Sequence, residues 1–155
     1  MSRNIYQFNK ETIINATLPR VWQFFINPQN LQLLTPQEMN FKPCSHLPNT
    51  IYKGLKLQYK LKPLWGVPIL WETLIQEYNP IESFVDIQTK GPYRLWHHKH
   101  TFKAISENET LMIDAVEYTL PLGIVGKTLM HRLVRNKIID LFNFRTQSIH
   151  HHFNT

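Results

Sequence analysis

Hydrophobic and polar positions alternate with period two through most of the first 120 residues, then change to a helical period near the C-terminus. Residues 5–15, rich in Ile, Tyr, Phe and Thr, read as a strand. Thr17-Leu18-Pro19-Arg20 marks a helix start, with Thr17 as N-cap and proline in the first turn. Val21, Trp22, Phe24 and Phe25 supply that helix's apolar side. Asn27-Pro28 restarts the pattern, and Leu31, Leu33 and Leu34 make a second short helix that Thr35-Pro36 ends. A short strand is expected over residues 38–44. Residues 51–61 place Leu55, Leu57, Tyr59 and Leu61 on one face and Gly54, Lys56, Gln58 and Lys60 on the other, as a half-buried antiparallel strand does. The proline-bracketed loop 62–68 follows, with Trp65 placed to cover a cavity mouth or simply to pack. Strands are then expected over 69–78, in a hairpin across 84–102, and over 109–119. Leu120-Pro121-Leu122-Gly123 closes the sheet. From about Ile124 to His151 the pattern is helical, and Met130, Val134, Ile138 and Leu141 form one stripe, widened by Leu133, Phe142 and Ile149. At about 1.5 Å per residue such a helix spans roughly 40 Å, enough to cross a sheet.

This order defines an α+β fold: two short helices after the first strand, a curved antiparallel sheet of about six to seven strands, and one long C-terminal helix against it. Residues 1–155 are read as a single domain, since 155 residues suffice for a real core. The 43% apolar and 18% charged content is that of a globular chain. No apolar run approaches the ~20 residues of a membrane helix, and Met1–Tyr6 carries no signal-peptide pattern. The lone Cys44 excludes an intrachain disulfide framework, so a cytoplasmic protein is expected. The net charge of +6 permits an anionic partner. Its excess, however, lies on the C-terminal helix, where Lys127, Arg132, Arg135, Lys137 and Arg145 face one acid, Asp140. A solvated helix surface explains that without nucleic acid.

The chemistry concentrates in the hairpin. Phe84, Asp86 and Gln88 share one face of its first strand; Trp96, His98, His100 and Phe102 share one face of its second. Apolar residues mark each face as interior, and buried polar groups between them must be paired or bind something. Asp114 falls on the face of Met112, Val116 and Tyr118 in the next strand. Arg145 falls one turn after Leu141 on the helix stripe.

The chain resembles the START/Bet v 1-like superfamily, the helix-grip domains also called SRPBCC, over nearly its whole length. It is most similar to a bacterial ligand-binding or polyketide cyclase/dehydrase-like branch, some of whose members are named cell-division inhibitors. The matching residues are Pro19-Arg20-Val21-Trp22-Gln23-Phe24, Leu34-Thr35-Pro36, Phe84-x-Asp86-x-Gln88-x-x-Gly91-Pro92-Tyr93, Trp96-x-His98-x-His100-x-Phe102, Asp114-x-Val116-x-Tyr118-x-Leu120-Pro121 and Phe144-Arg145. The resemblance implies an apolar cavity for lipids, polyketides or steroids; it fixes no activity, because the fold hosts carriers, cyclases and regulatory partners.

Four uses of the inward polar set follow. In a structural network, Asp86 and Asp114 accept bonds from the histidines or Arg145. In a binding site, Tyr59, Trp71, Trp96, Met112, Val116, Tyr118, Met130, Val134 and Leu141 wall a cavity. Asp86, Gln88, His98, His100, Asp114 and Arg145 then orient a ligand in it. In a metal site, His98-x-His100 with a carboxylate resembles zinc or iron ligand sets, although two such histidines recur by chance among eight. In an acid–base site, a His–Asp pair moves a proton; there is no nucleophile motif, phosphate loop or dinucleotide fingerprint beside it. The expectation taken forward is a binding protein for a small hydrophobic or amphipathic molecule, without cofactor or metal. A cyclase or dehydratase and a regulatory interaction module are the alternatives, and enzyme activity is left open.

Overall fold

The computed structural model describes residues 4–63, 66–120 and 127–154. Strand β1 (Tyr6–Ile14) leads into helix α1 (Leu18–Ile26), followed by two 3-10 turns, Pro28–Gln32 and Gln37–Met39. Strands β2 (Lys42–Pro43), β3 (Lys56–Leu61), β4 (Ile69–Asn79), β5 (Ser83–Lys90), β6 (Leu95–Ser106) and β7 (Glu109–Thr119) come next, and helix α2 (Lys127–Phe153) ends the chain. The seven strands form one antiparallel sheet in the order β1-β7-β6-β5-β4-β3-β2, so β1 closes the edge beside β7. Register shifts in β4–β5 and β6–β7 mark irregularities of the kind that bend and twist strands. The result is a curved sheet with a long helix across it, the helix-grip arrangement.

The inward residues of α2 are Val134, Ile138, Phe142, Ile149 and Phe153, all buried and recurring at helical spacing. They sort into two apolar groups. One joins α1 and the end of α2 to the sheet: Val21, Trp22 and Phe24 pack with Phe84, Phe102, Met112, Ile149 and Phe153. The other joins the start of α2 to β1, β6 and β7: Val134, Ile138 and Phe142 pack with Phe8, Trp96, Val116 and Tyr118.

The structure corrects several expected boundaries. Residues 38–44 yield only the two-residue β2, because Gln37–Met39 coil into a 3-10 turn closed by Asn40 at a left-handed φ of 48°, and Pro43 has no N–H to extend the ladder. The strand expected over 51–61 starts at Lys56; before it Gly54 turns at φ 91° and donates to Ile75 O. The second helix is a 3-10 turn, capped by Asn27 Oδ1 accepting from Gln29 N at 3.1 Å. Thr17 makes no side-chain cap bond. Leu133, expected on the buried stripe, is 41% exposed, since it lies about 100° round the helix from Val134. Leu64, Trp65 and the closing segment 121–126 lie outside the described residues.

Phe142 and Leu133 therefore separate packing from pattern. Phe142→Ala is expected to cost about 3–5 kcal/mol of stability. Leu133→Ala is expected to stay within about 0.5 kcal/mol of wild type. Equal shifts in urea unfolding would contradict this placement of α2.

Candidate functional site

Three neighbouring strands bring the hairpin chemistry together. In the ladder His98 stands opposite Asp86 of β5, and His100 opposite Asp114 of β7. The short bonds run along the diagonals instead, a reach that long side chains have across a sheet. His98 Nε2 is 2.7 Å from Asp114 Oδ1, and His100 Nε2 is 2.7 Å from Asp86 Oδ2. The directly opposed pairs are longer: His98 Nδ1 lies 3.7 Å from Asp86 Oδ2 and His100 Nδ1 3.3 Å from Asp114 Oδ1. The two imidazoles overlap with centroids 3.7 Å apart. Each carboxylate thus faces both rings, and Nδ1 of His100 is buried with no hydrogen-bond partner among the described residues.

This polar layer lies between the two apolar groups. Phe84 stacks on His100 at 4.1 Å, and Phe142 meets the His98 ring at 5.5 Å. Arg145 reaches the layer from α2. Its Nε donates to Leu34 O at 3.2 Å, and its guanidinium carbon lies 5.2 Å from the centroid of the Phe142 ring. That is its one hydrogen bond among the described residues, and neither Nη group has a hydrogen-bond partner among them.

The electrostatics follow from burial and crowding. Burial pushes Asp86 and Asp114 upward, but hydrogen bonds and charge from the histidines outweigh it and hold both below the ordinary carboxylate range. Burial and the neighbouring His100 charge lower His98. His100 is raised: burial opposes its charge, but the flanking carboxylates Asp114 and Asp86 prevail. Two rings this close cannot both charge cheaply, and the opposite shifts favour the charged form of His100 over that of His98. Burial lowers Arg145 as well, against the attraction of Asp114 and Asp86.

A pocket of about 580 Å³ opens over this layer, between the sheet, α2 and the segment after α1. Of the residues singled out in the sequence, Tyr59, Trp71, Asp86, Trp96, His98, His100, Met112, Asp114, Leu141 and Arg145 line it. The other five are not among its described lining residues. Val116, Tyr118 and Val134 are buried in the second apolar group, with Met130 packed against them. Gln88 braces the hairpin turn: its Nε2 donates to Tyr93 O at 2.6 Å and its Oε1 accepts from Tyr93 N at 3.2 Å. Gly91, at φ 155°, lets this happen, since a Cβ there would strike the Gln88 side chain. Sequence reasoning missed Tyr93, which packs against Trp71 and Trp96. It also missed Leu31, Leu34, Met39 and Phe41, which line the pocket from irregular segments that carry no periodicity. Lys62, Pro63 and Gly66 line the pocket from the proline-bracketed loop, read in the sequence as either a mouth cover or a packed loop.

No family model matches this chain, and no curated protein matches its sequence. Solved structures do match its shape. An aromatase/cyclase from Streptomyces sp. R1128 superposes with a TM-score of 0.72 at 10% identity, over 97% of this chain and 94% of its own. A norcoclaurine synthase mutant of Thalictrum flavum, in complex with a transition-state analogue, gives 0.69 at 11% identity over 98% of both chains. A START superfamily protein of Mycobacterium smegmatis gives 0.67 at 8% identity, over 96% and 97%. The chain has the START/Bet v 1-like, or SRPBCC, fold. Among the described residues, no helix is long and apolar enough to cross a membrane.

The polar layer makes stability depend on pH. His98, ordinarily at 6.5, stays neutral in the fold, so the unfolded chain takes the proton first and stability falls as pH drops below about 6.5. The lowered carboxylates deepen that loss in stronger acid. His100, raised in the fold, contributes fully below about 6.5 and its contribution is lost as pH rises through its folded value. Urea midpoints are expected to decline from about pH 6.5 to about pH 4, and the alkaline decline is expected to disappear in His100→Gln. A flat acid limb in the wild type would refute the neutral His98.

Proposed function

We propose that the protein binds a small amphipathic molecule, with its apolar body between the sheet and α2 and an anionic head at Arg145 and His100. The observation that carries this reading is the pocket itself: apolar walls ending on a polar layer beside a guanidinium whose Nη groups have no hydrogen-bond partner among the described residues. Ligand sites commonly combine mostly apolar walls with a few placed polar groups. A desolvated arginine suits a carboxylate or enolate because its fork matches two oxygens. Cys44 is a free, exposed thiol, which suits a reducing compartment, and a cytoplasmic setting is part of the proposal.

The two His–Asp pairs favour a second reading, proton transfer during a cyclisation or dehydration. It is the weaker one, because both Nε2 atoms already bond to carboxylates. It requires turnover that His98→Ala or Asp86→Asn abolishes in a folded chain.

Binding of a long-chain fatty acid and of the alcohol of equal length, followed by native mass spectrometry and titration, tests the proposal. The acid is expected to bind about 10–100-fold tighter, the worth of a hydrogen bond to a charged group. Arg145→Gln is expected to remove that difference, and Leu141→Trp to abolish binding of both by filling the pocket. Failure of both ligands to bind, or binding unchanged in Leu141→Trp, overturns it.

A further inference from the structure

We propose that Asp86, His98 and His100 form a binding site for a divalent transition-metal cation, with Asp114 as the outer carboxylate that orients both imidazoles. One oxygen or nitrogen from each of the three residues lies within 4.8 Å of the others. Ligands about 2.0–2.2 Å from a tetrahedral ion stand roughly 3.4 Å apart. The two distances from Asp86 Oδ2, 3.7 Å to His98 Nδ1 and 2.7 Å to His100 Nε2, bracket that spacing.

The arrangement of protons supplies the stronger argument. A histidine that binds metal through one nitrogen normally donates from the other to a carboxylate or carbonyl. Here the second nitrogens of both rings face the same atom: His98 Nε2 is 2.7 Å and His100 Nδ1 3.3 Å from Asp114 Oδ1. With both protons on that side, lone pairs of His98 Nδ1 and His100 Nε2 are left toward Asp86. A cation there takes the place of the proton between His100 Nε2 and Asp86. It also gives buried His100 Nδ1, unbonded among the described residues, a reason to align with Asp114. The ligand set of two imidazoles and one carboxylate suits zinc, iron or cobalt. All four side chains line the pocket, which leaves a coordination position facing its interior. Arg145 opposes a cation electrostatically; the two ionised carboxylates offset it. The site goes beyond the proposed ligand binding and shares His100 with it; titration with the cation alone lets either reading fail without the other.

The test uses the full chain, stripped with chelator and titrated with Co2+ alone. The expected result is one tightly held Co2+ per chain with the intense visible absorption of a four-coordinate site. Asp86→Asn is expected to abolish it, and Asp114→Asn to weaken binding about 10–100-fold while keeping the spectrum. Because a buried variant can fail to fold, the wild type is also loaded with 113Cd. Scalar coupling from cadmium to Nδ1 of His98 and Nε2 of His100 is the expected signature, and it separates this site from the three consecutive histidines in the last turn of α2, His150-His151-His152. Cadmium coupled only to other histidines, or cobalt binding equal in wild type and a folded Asp86→Asn variant, overturns the proposal.

Discussion

Two diagonal His–Asp bonds hold the middle of this molecule together. They tie β5, β6 and β7 through side chains as well as backbone, and they lie where the sheet would otherwise have a continuous apolar floor. Placing four ionisable groups there is costly unless each is partnered. The crossed pattern meets that condition for the histidines and aspartates, each of which has a 2.7 Å partner, while Arg145 adds longer-range attraction to both carboxylates. The shape of the pocket follows from this layer. The apolar side chains divide into a group at the α1 end and a group at the β1–β7 edge, and the opening over the polar layer connects them.

The frame is shared with an aromatase/cyclase and a norcoclaurine synthase at only about 10% identity. Sheet curvature and a crossing helix need only apolar residues at the right period, and many sequences provide those. The polar layer is a local addition to this frame. Its chemistry therefore has to be argued from Asp86, His98, His100, Asp114 and Arg145 themselves, and the frame adds little to that argument.

Much of the frame was legible in the sequence because period is a strong signal. The α2 stripe shows as a helical period and the strands flanking Gly91-Pro92-Tyr93 as alternation. Alternation also placed Asp86, His98, His100 and Asp114 on inward faces. It could not reveal which histidine meets which aspartate, because that depends on register and side-chain torsion together. Nor does it mark distance along a strand: Val116 and Tyr118 face inward like Asp114 but lie under Val134 and Met130, beyond the pocket. Gln88 was misjudged for another reason. Its side-chain amide is spent on the backbone of Tyr93, a local bond that no pattern of polar and apolar positions encodes. Leu31, Leu34 and Phe41 escaped notice because 3-10 turns and short connections have no period to read.

The Gln88–Gly91 contact couples two positions that are three residues apart. A side chain at 91 would force the long amide at 88 to move, and moving that amide frees the backbone of Tyr93, whose ring helps wall the pocket. A change at either position therefore reaches the pocket wall through Tyr93, without touching a residue that meets the polar layer.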